Sequence, residues 1–215
     1  GHCEVQKLFT ARNEDLISPE QCDKLVSLLV ERMMGETEVD PLTEVFTKRS
    51  LETTFNALKE ELNYSGKEKR KFSVKAVMVI FVDINKFKTI NDVHGHLKGD
   101  QVLQAVAKRI KGAIKRVDQI FRVGGDEFVI LLPIHDDNDR LLKAIFQRIN
   151  GQLNDNFIID GDIIVELAMG YDALKEGDRR TLKDVSHEAD KKMYENKEKM
   201  KAEKEKMEPI EVGTS

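Results

Sequence analysis

The segment Val74-Lys75-Ala76-Val77-Met78-Val79-Ile80-Phe81-Val82 is a near-continuous apolar run, rich in β-branched side chains, that stops at Asp83. A strand with one wet face would alternate polar and apolar residues. This run does not, so it predicts a strand buried on both faces, with a carboxylate at its tip. Such a strand needs covering layers, and the rest of the chain supplies them. Gln101 to Ile114 reads as a helix through Val102, Leu103, Val106, Ala107, Ile110 and Ile114. Gln119–Val123 and Glu127–Leu132 read as a hairpin around Gly124-Gly125-Asp126. Leu141–Leu153 gives another helix, and Phe157–Ile159 with Ile163–Met169 a second hairpin across Asp160-Gly161-Asp162. A final helix starts near Leu182 and passes Tyr194. Strand, helix, hairpin, helix, strand predicts an α+β fold of the βαββαβ type, an antiparallel-containing sheet flanked by helices.

Upstream, a helix from about Thr47 to Leu62 buries Leu51, Phe55, Leu58 and Leu62, and Asn63 to Lys71 reads as an exposed loop. Ser18-Pro19-Glu20 reads as a further helix start, with Cys22, Leu25, Leu29 and Met33 as one seam and Gly35 as the stop. Gly1-His2 reads as the remnant of a cleaved tag, which predicts a chain cut from a longer protein. Residues 1–37 are therefore expected to be tag remnant and connector helix, and residues 202–215 a charged, fraying tail. The formal net charge of −4 over 215 residues argues against a protein that coats nucleic acid. Two cysteines, Cys3 and Cys22, cannot build a disulfide scaffold, so a reducing cytoplasmic setting is expected. No apolar stretch approaches the roughly 18–20 residues of a membrane-spanning helix.

If the Asp83 strand neighbours the central hairpin, Asp83, Asp126 and Glu127 converge on one sheet edge. Clustered carboxylates repel unless a cation neutralises them, and hard oxygen donors suit Mg²⁺ or Mn²⁺. Divalent ions held this way serve phosphoryl or nucleotidyl transfer. An ordinary polar turn is the other account of a bare Gly-Gly-Asp-Glu. The double glycine favours close backbone approach by a ligand. Asn91 and Asp100, nine residues apart, can together read guanine. The Asp carboxylate accepts from the ring N–H and the exocyclic amine, and the Asn carboxamide serves the base's acceptors. A plain turn is again the alternative for residues of these types.

Together these motifs resemble the GGDEF family of diguanylate cyclases. Gly124-Gly125-Asp126-Glu127-Phe128 matches its signature and Arg122 precedes it as in the family's R-x-G-G-D-E-F. Asp40-Pro41-Leu42-Thr43 resembles D-P-L-T. Asp83 to Lys88 resembles D-[IL]-[DN]-x-F-K, and Asn91 to Asp100 resembles N-D-x-x-G-H-x-x-G-D. Ala189-Asp190-Lys191-Lys192-Met193-Tyr194 resembles the terminal A-D-x-x-[LM]-Y helix. The resemblance covers about residues 38–201, expected as one catalytic domain with a palm-like, nucleotide-cyclase-like sheet. It implies condensation of two GTP into cyclic di-GMP with release of pyrophosphate, in a homodimer whose two sites each present one GTP. It implies Mg²⁺ or Mn²⁺ on Asp83, Asp126 and the Ile84 carbonyl. Asn91, His96 and Asp100 would bind the substrate, with Gly124 and Gly125 beneath it. Lys88 would stabilise phosphate charge. Asp126 or Glu127 would assist deprotonation of the attacking 3′-OH, and Lys197 and Lys201 would grip the terminal phosphates.

Four positions depart from the pattern. Glu44 stands where the first motif usually has Gly, and Ala168-Met169-Gly170 replaces S-x-G. Met200-Lys201-Ala202 replaces G-R-N, so bidentate phosphate geometry is lost at Lys201. Lys115 stands where product-inhibited members have the Arg of R-x-x-D, which predicts weak or absent feedback inhibition. His94, in a loop, His135 and His187 are expected to be solvated, and Met33, Met34 and Met193 to pack. An active cyclase is the leading expectation. A GTP- or cyclic di-GMP-binding signalling module without turnover is the alternative, and Asp100 argues against a hybrid dinucleotide. The connector helix points to a missing N-terminal sensory domain.

Overall fold

The computed structural model describes residues 39–63, 74–155 and 157–207. The expected Ser18–Gly35 helix, both cysteines and most of the loop to Lys71 lie outside the described residues, as does the tail beyond Met207. Twelve elements follow in chain order, and one of them is a helix in a stretch that reads in sequence as a loop.

At the centre is β2 (Ala76–Ile84). It pairs antiparallel with β4 (Glu127–Ile134) on one side and β7 (Leu167–Lys175) on the other. Beyond β4 come β3 (Gln119–Arg122), antiparallel to it, and the two-residue β1 (Phe46–Thr47), parallel to β3. The sheet order is β1-β3-β4-β2-β7, the mixed α+β sheet expected. A central strand hydrogen-bonded on both edges and covered on both faces has no use for polar side chains, which is why β2 reads as a continuous apolar run.

Alternate residues of β2 serve two separate cores. Ala76, Met78, Ile80, Val82 and Ile84 pack towards α3 (His96–Ala113) and α4 (Asp139–Asn154), through Val102, Val106, Ile110, Leu142 and Ile149. Val77 and Val79 pack the other way, with Leu51, Phe55, Leu58 and Leu62 of α1 (Lys48–Leu62) and with Val185 of α5 (Leu182–Met207). The four apolar residues expected to form the buried stripe of α1 are all buried.

Two expectations need correction. Between Asp83 and Gln101 the sequence reads as loop, but α2 (Phe87–His94) and the first turn of α3 occupy it, separated only by Gly95. Gly95 takes φ +83°, a left-handed turn open to glycine, and this breaks the helix without a loop. His94 accordingly ends a helix. The second hairpin is shorter than expected: β5 (Ile158–Ile159) pairs only with β6 (Ile163–Ile164), and Leu167 begins a separate strand in the main sheet. The break is set by Asn154, whose carboxamide accepts from Leu167 N–H (2.8 Å) and donates to Leu167 C=O (3.1 Å).

Candidate functional site

Register brings the carboxylates together. Asp83, the penultimate residue of β2, lies directly opposite Glu127, the first residue of β4, and Ile84 N–H donates to Asp126 C=O at 3.3 Å. Asp83 and Glu127 follow the alternation of Val77, Val79, Val129 and Leu131, so both project on the face that α1 and α5 cover. Like charges at opposed positions repel. Burial, reinforced by the Asp83 charge, pushes the Asp126 carboxyl above its usual range. Burial and the charges of Asp126, Asp83 and Asp190 push Glu127 up as well.

Among the described residues this cluster has a direct counter-charge in Lys197 of α5, which donates to Asp83 Oδ1. Its helix is held close by small-residue packing. A Cβ on Gly170 of β7 would stand 2.1 Å from Met193 N and 2.3 Å from Ala189 O, so α5 rests on bare backbone there. Asn196 donates to Met169 C=O at 2.8 Å, and Lys192 to Asp172 at 2.9 Å. Lys201 lies one turn beyond Lys197 in the same helix, and its side chain is outside the described residues.

The Gly124-Gly125 turn is held by Arg122, which donates to Gly125 C=O (2.8 Å) and to Asp40 (3.1 Å). Asp40 also accepts from the backbone N–H and hydroxyl of Thr43, at 2.9 and 2.6 Å. Partial burial pushes the Asp40 carboxyl up, but hydrogen bonds from Thr43 and Arg122 outweigh it and hold the group below its ordinary value. Asp40-Pro41-Leu42-Thr43 is thus the far anchor of the glycine turn, a role that sequence spacing of 82 residues hid. The two glycines differ. A Cβ on Gly124 would fall 2.3 Å from Glu127 Oε2, so its smallness is used by the protein itself, whereas a Cβ on Gly125 would meet nothing within 4 Å.

Asn91 sits on α2 and Asp100 on α3, not in a loop. Gly99 makes the junction: a Cβ there would lie 1.9 Å from Asn91 Oδ1, so the carboxamide lies flat on α3 beside the residue that precedes Asp100. Lys88, His96 and Asp100 are exposed and Asn91 is half-buried. The structure therefore forms two groups, one of Asp83, Asp126, Glu127 and Lys197, the other of Asn91, His96 and Asp100. They are joined by Ile84 and the start of α2. Sequence reading gave no role to Asp40, Arg122, Gly99 or Asp190. All four stand inside matched motifs, which was the signal the sequence offered; what each of them touches is visible only in the packing.

Among the described residues no group of three or more His, Cys, Asp or Glu side chains is arranged as a metal cage. A Mg²⁺ site needs fewer, because Mg²⁺ keeps waters and takes phosphate oxygens in its remaining positions. Two carboxylates at one strand end, one of them pushed towards protonation by burial and by the other's charge, match that need. No helix among the described residues is long and apolar enough to cross a membrane.

Comparison with known proteins agrees with this architecture. The family model described as diguanylate cyclase, GGDEF domain, matches residues 37–203. Diguanylate cyclase A of Treponema denticola is 29% identical over 192 residues, 88% of this chain and 50% of the relative. Diguanylate cyclase DosC of Escherichia coli is 34% identical over 120 residues, 56% of this chain and 24% of the relative. This chain thus spans half or less of the length of these curated relatives. A crystal structure of a sensory box/GGDEF family protein from Caulobacter crescentus superposes with a TM-score of 0.64 at 28% identity, covering 75% of this chain and 99% of that one. With the family model spanning both residue groups and the fold shared with a solved member, the chain belongs to the GGDEF family of diguanylate cyclase domains.

Proposed function

We propose that this chain is an active diguanylate cyclase that condenses two GTP into cyclic di-GMP and pyrophosphate. The observation that carries this reading is the juxtaposition of Asp83, Asp126 and Glu127 at the β2–β4 strand ends, on the face from which Lys197 reaches in. Asn91 and Asp100 bind guanine on the neighbouring helices. The first turn of α2 has no side-chain cap, which leaves backbone N–H groups for phosphate oxygens next to the Asp83 strand end. Gly125, exposed and unopposed by any protein atom, lets the triphosphate approach the backbone.

Asp83, Asp126 and the Ile84 carbonyl would hold Mg²⁺ or Mn²⁺, which when bound would supply charge neutralisation at the reacting phosphate. Lys88 and Lys197, with Lys201 beyond, offset the remaining phosphate charge. The 3′-OH of one GTP attacks the α-phosphate of the other, its proton passes to Asp126 or Glu127, and pyrophosphate leaves. Burial and the neighbouring carboxylates push both carboxyls up, which makes them stronger proton acceptors than free carboxylates. The reaction repeats with the roles exchanged. One chain offers one guanine-reading pair, so a homodimer assembles the two halves.

Incubation with GTP and Mg²⁺ should give cyclic di-GMP by mass spectrometry, none of it from Asp126→Ala, and no mixed product when ATP is added. A second reading has one observation in its favour: Lys201 stands where the family has the Arg of G-R-N, so the phosphate grip is weaker. Bound GTP with no product over a wide range of protein concentration would establish that reading, a nucleotide-binding signalling module.

A further inference from the structure

We infer that Lys197 is a tethered counter-cation: it neutralises Asp83 before metal arrives, yields that carboxylate to a divalent cation, and then carries its ammonium to the triphosphate. This rests on the diguanylate cyclase reading of the site and adds an ordering of events to it.

The argument begins with charge. Asp83 stands opposite Glu127 at the β2–β4 strand ends with Asp126 beside them, and the charges of Asp83, Asp126 and Asp190 act on the Glu127 carboxyl. Against these four acids stand Lys197, Arg122 and Lys48. Arg122 is committed to Asp40 and the Gly125 carbonyl. Lys197 is hydrogen-bonded to Asp83 itself, at the oxygen Oδ1, and only 14% of the Asp83 side chain is exposed. A half-buried carboxylate opposite another carboxylate is costly unless paired, and Lys197 supplies the pairing.

The helix backbone has little freedom to release it. Asn196, the residue before Lys197, is tied to the Met169 carbonyl, Lys192 to Asp172, and the backbone at Met193 and Ala189 rests on Gly170. Any exchange is therefore a swing of the lysine stem, four methylenes with rotatable bonds, and not a movement of α5. An ammonium hydrogen-bonded to Asp83 and a divalent cation ligated by the same carboxylate repel at short range. Metal binding at Asp83 therefore works against the Lys197 pairing and favours its release. With no nucleotide present the displaced ammonium loses its partner, whereas a bound triphosphate gives it a new one. Metal and nucleotide thus help each other to bind, reciprocally, through one side chain.

The test uses the full chain with Mn²⁺ as probe, its binding read by electron paramagnetic resonance with and without a non-hydrolysable GTP analogue. Lys197→Gln should bind Mn²⁺ about five- to tenfold more tightly than the parent when nucleotide is absent, and the tightening caused by the analogue should shrink by a similar factor. Lys197→Arg, which keeps the ion pair, should stay near the parent. Metal-free Lys197→Gln should also melt below the parent, and saturating Mn²⁺ should erase the difference. Unchanged or weaker Mn²⁺ binding by Lys197→Gln, with Asp83→Asn abolishing it, overturns the exchange and leaves the cyclase reading intact. Mn²⁺ binding that survives Asp83→Asn overturns the metal site and the exchange together.

Discussion

Glu44 is held at φ 54°, in the left-handed region that side chains with a Cβ rarely adopt, at the position where the family motif usually has glycine. The turn around it is firmly tied: Glu44 N–H donates to Asp40 C=O and Asp40 N–H to Val45 C=O, each at 2.8 Å, and Lys111 donates to the Glu44 carbonyl at 2.7 Å. None of these bonds uses the Glu44 side chain, so glycine keeps every one. Glu44→Gly should raise stability by ~0.5–1 kcal/mol, relief of strain exceeding the extra entropy of the unfolded chain; a lower midpoint in urea would contradict this. Asp40, four residues earlier, gives a pH signature. Its carboxyl is lower in the folded state than in the unfolded chain, so its contribution is complete above the unfolded value and is lost as pH falls through the folded one. Asp40→Asn should lower stability at neutral pH and lessen its decline in acid, below about pH 4. Parallel declines in parent and variant would remove Asp40 from that role. The signal for Asp40 in the sequence was a motif match; the reason for it, a salt bridge to Arg122, could not be read without the fold.

At the scale of elements, legibility followed the kind of physics involved. The β2 run could be read because a doubly covered central strand must be apolar throughout, and the stripe of α1 because its periodicity is strong. α2 could not. Its residues include Asn91, Asp92 and His94, which favour turns in isolation, and its one buried residue is Ile90. What makes it helical is tertiary: Asn91 seated against Gly99 of α3, a contact no local rule anticipates. The same kind of contact governs α5. Gly170 meets the helix backbone at Met193 and Ala189, and backbone atoms cannot yield as the end of a flexible side chain can. Gly170→Ala should therefore push α5 off β7, costing about 1–3 kcal/mol and carrying Lys197 away from Asp83. A folded variant with parent-like stability would show that the helix tolerates the displacement. Tm by calorimetry, with circular dichroism to confirm folding, decides it.

For the whole molecule, the chain's net charge of −4 has to be squared with the polyanionic substrate proposed for it. The fold does this locally. Asp83, Asp126 and Glu127 stand at one end of the sheet, where the charges of Lys197, Arg122 and Lys48 act on them, so the field at the site is set by a few residues and by the proposed cation. That economy has a consequence for assembly. Each chain carries a single Asn91–Asp100 pair and a single Asp83–Asp126–Glu127 group, whereas the proposed product contains two guanines joined by two new phosphodiester bonds. On the proposed reading neither bond would be made by one chain alone, because a GTP bound there would have no second nucleotide opposite it. Product formed per chain should then rise with protein concentration, steeply where monomers predominate and levelling as dimers fill. Adding Asp126→Ala chains in excess should suppress the parent's rate, since mixed dimers hold two nucleotides but only one complete carboxylate group. A rate per chain that is flat with concentration and indifferent to Asp126→Ala would mean that a single chain carries both halves of the reaction.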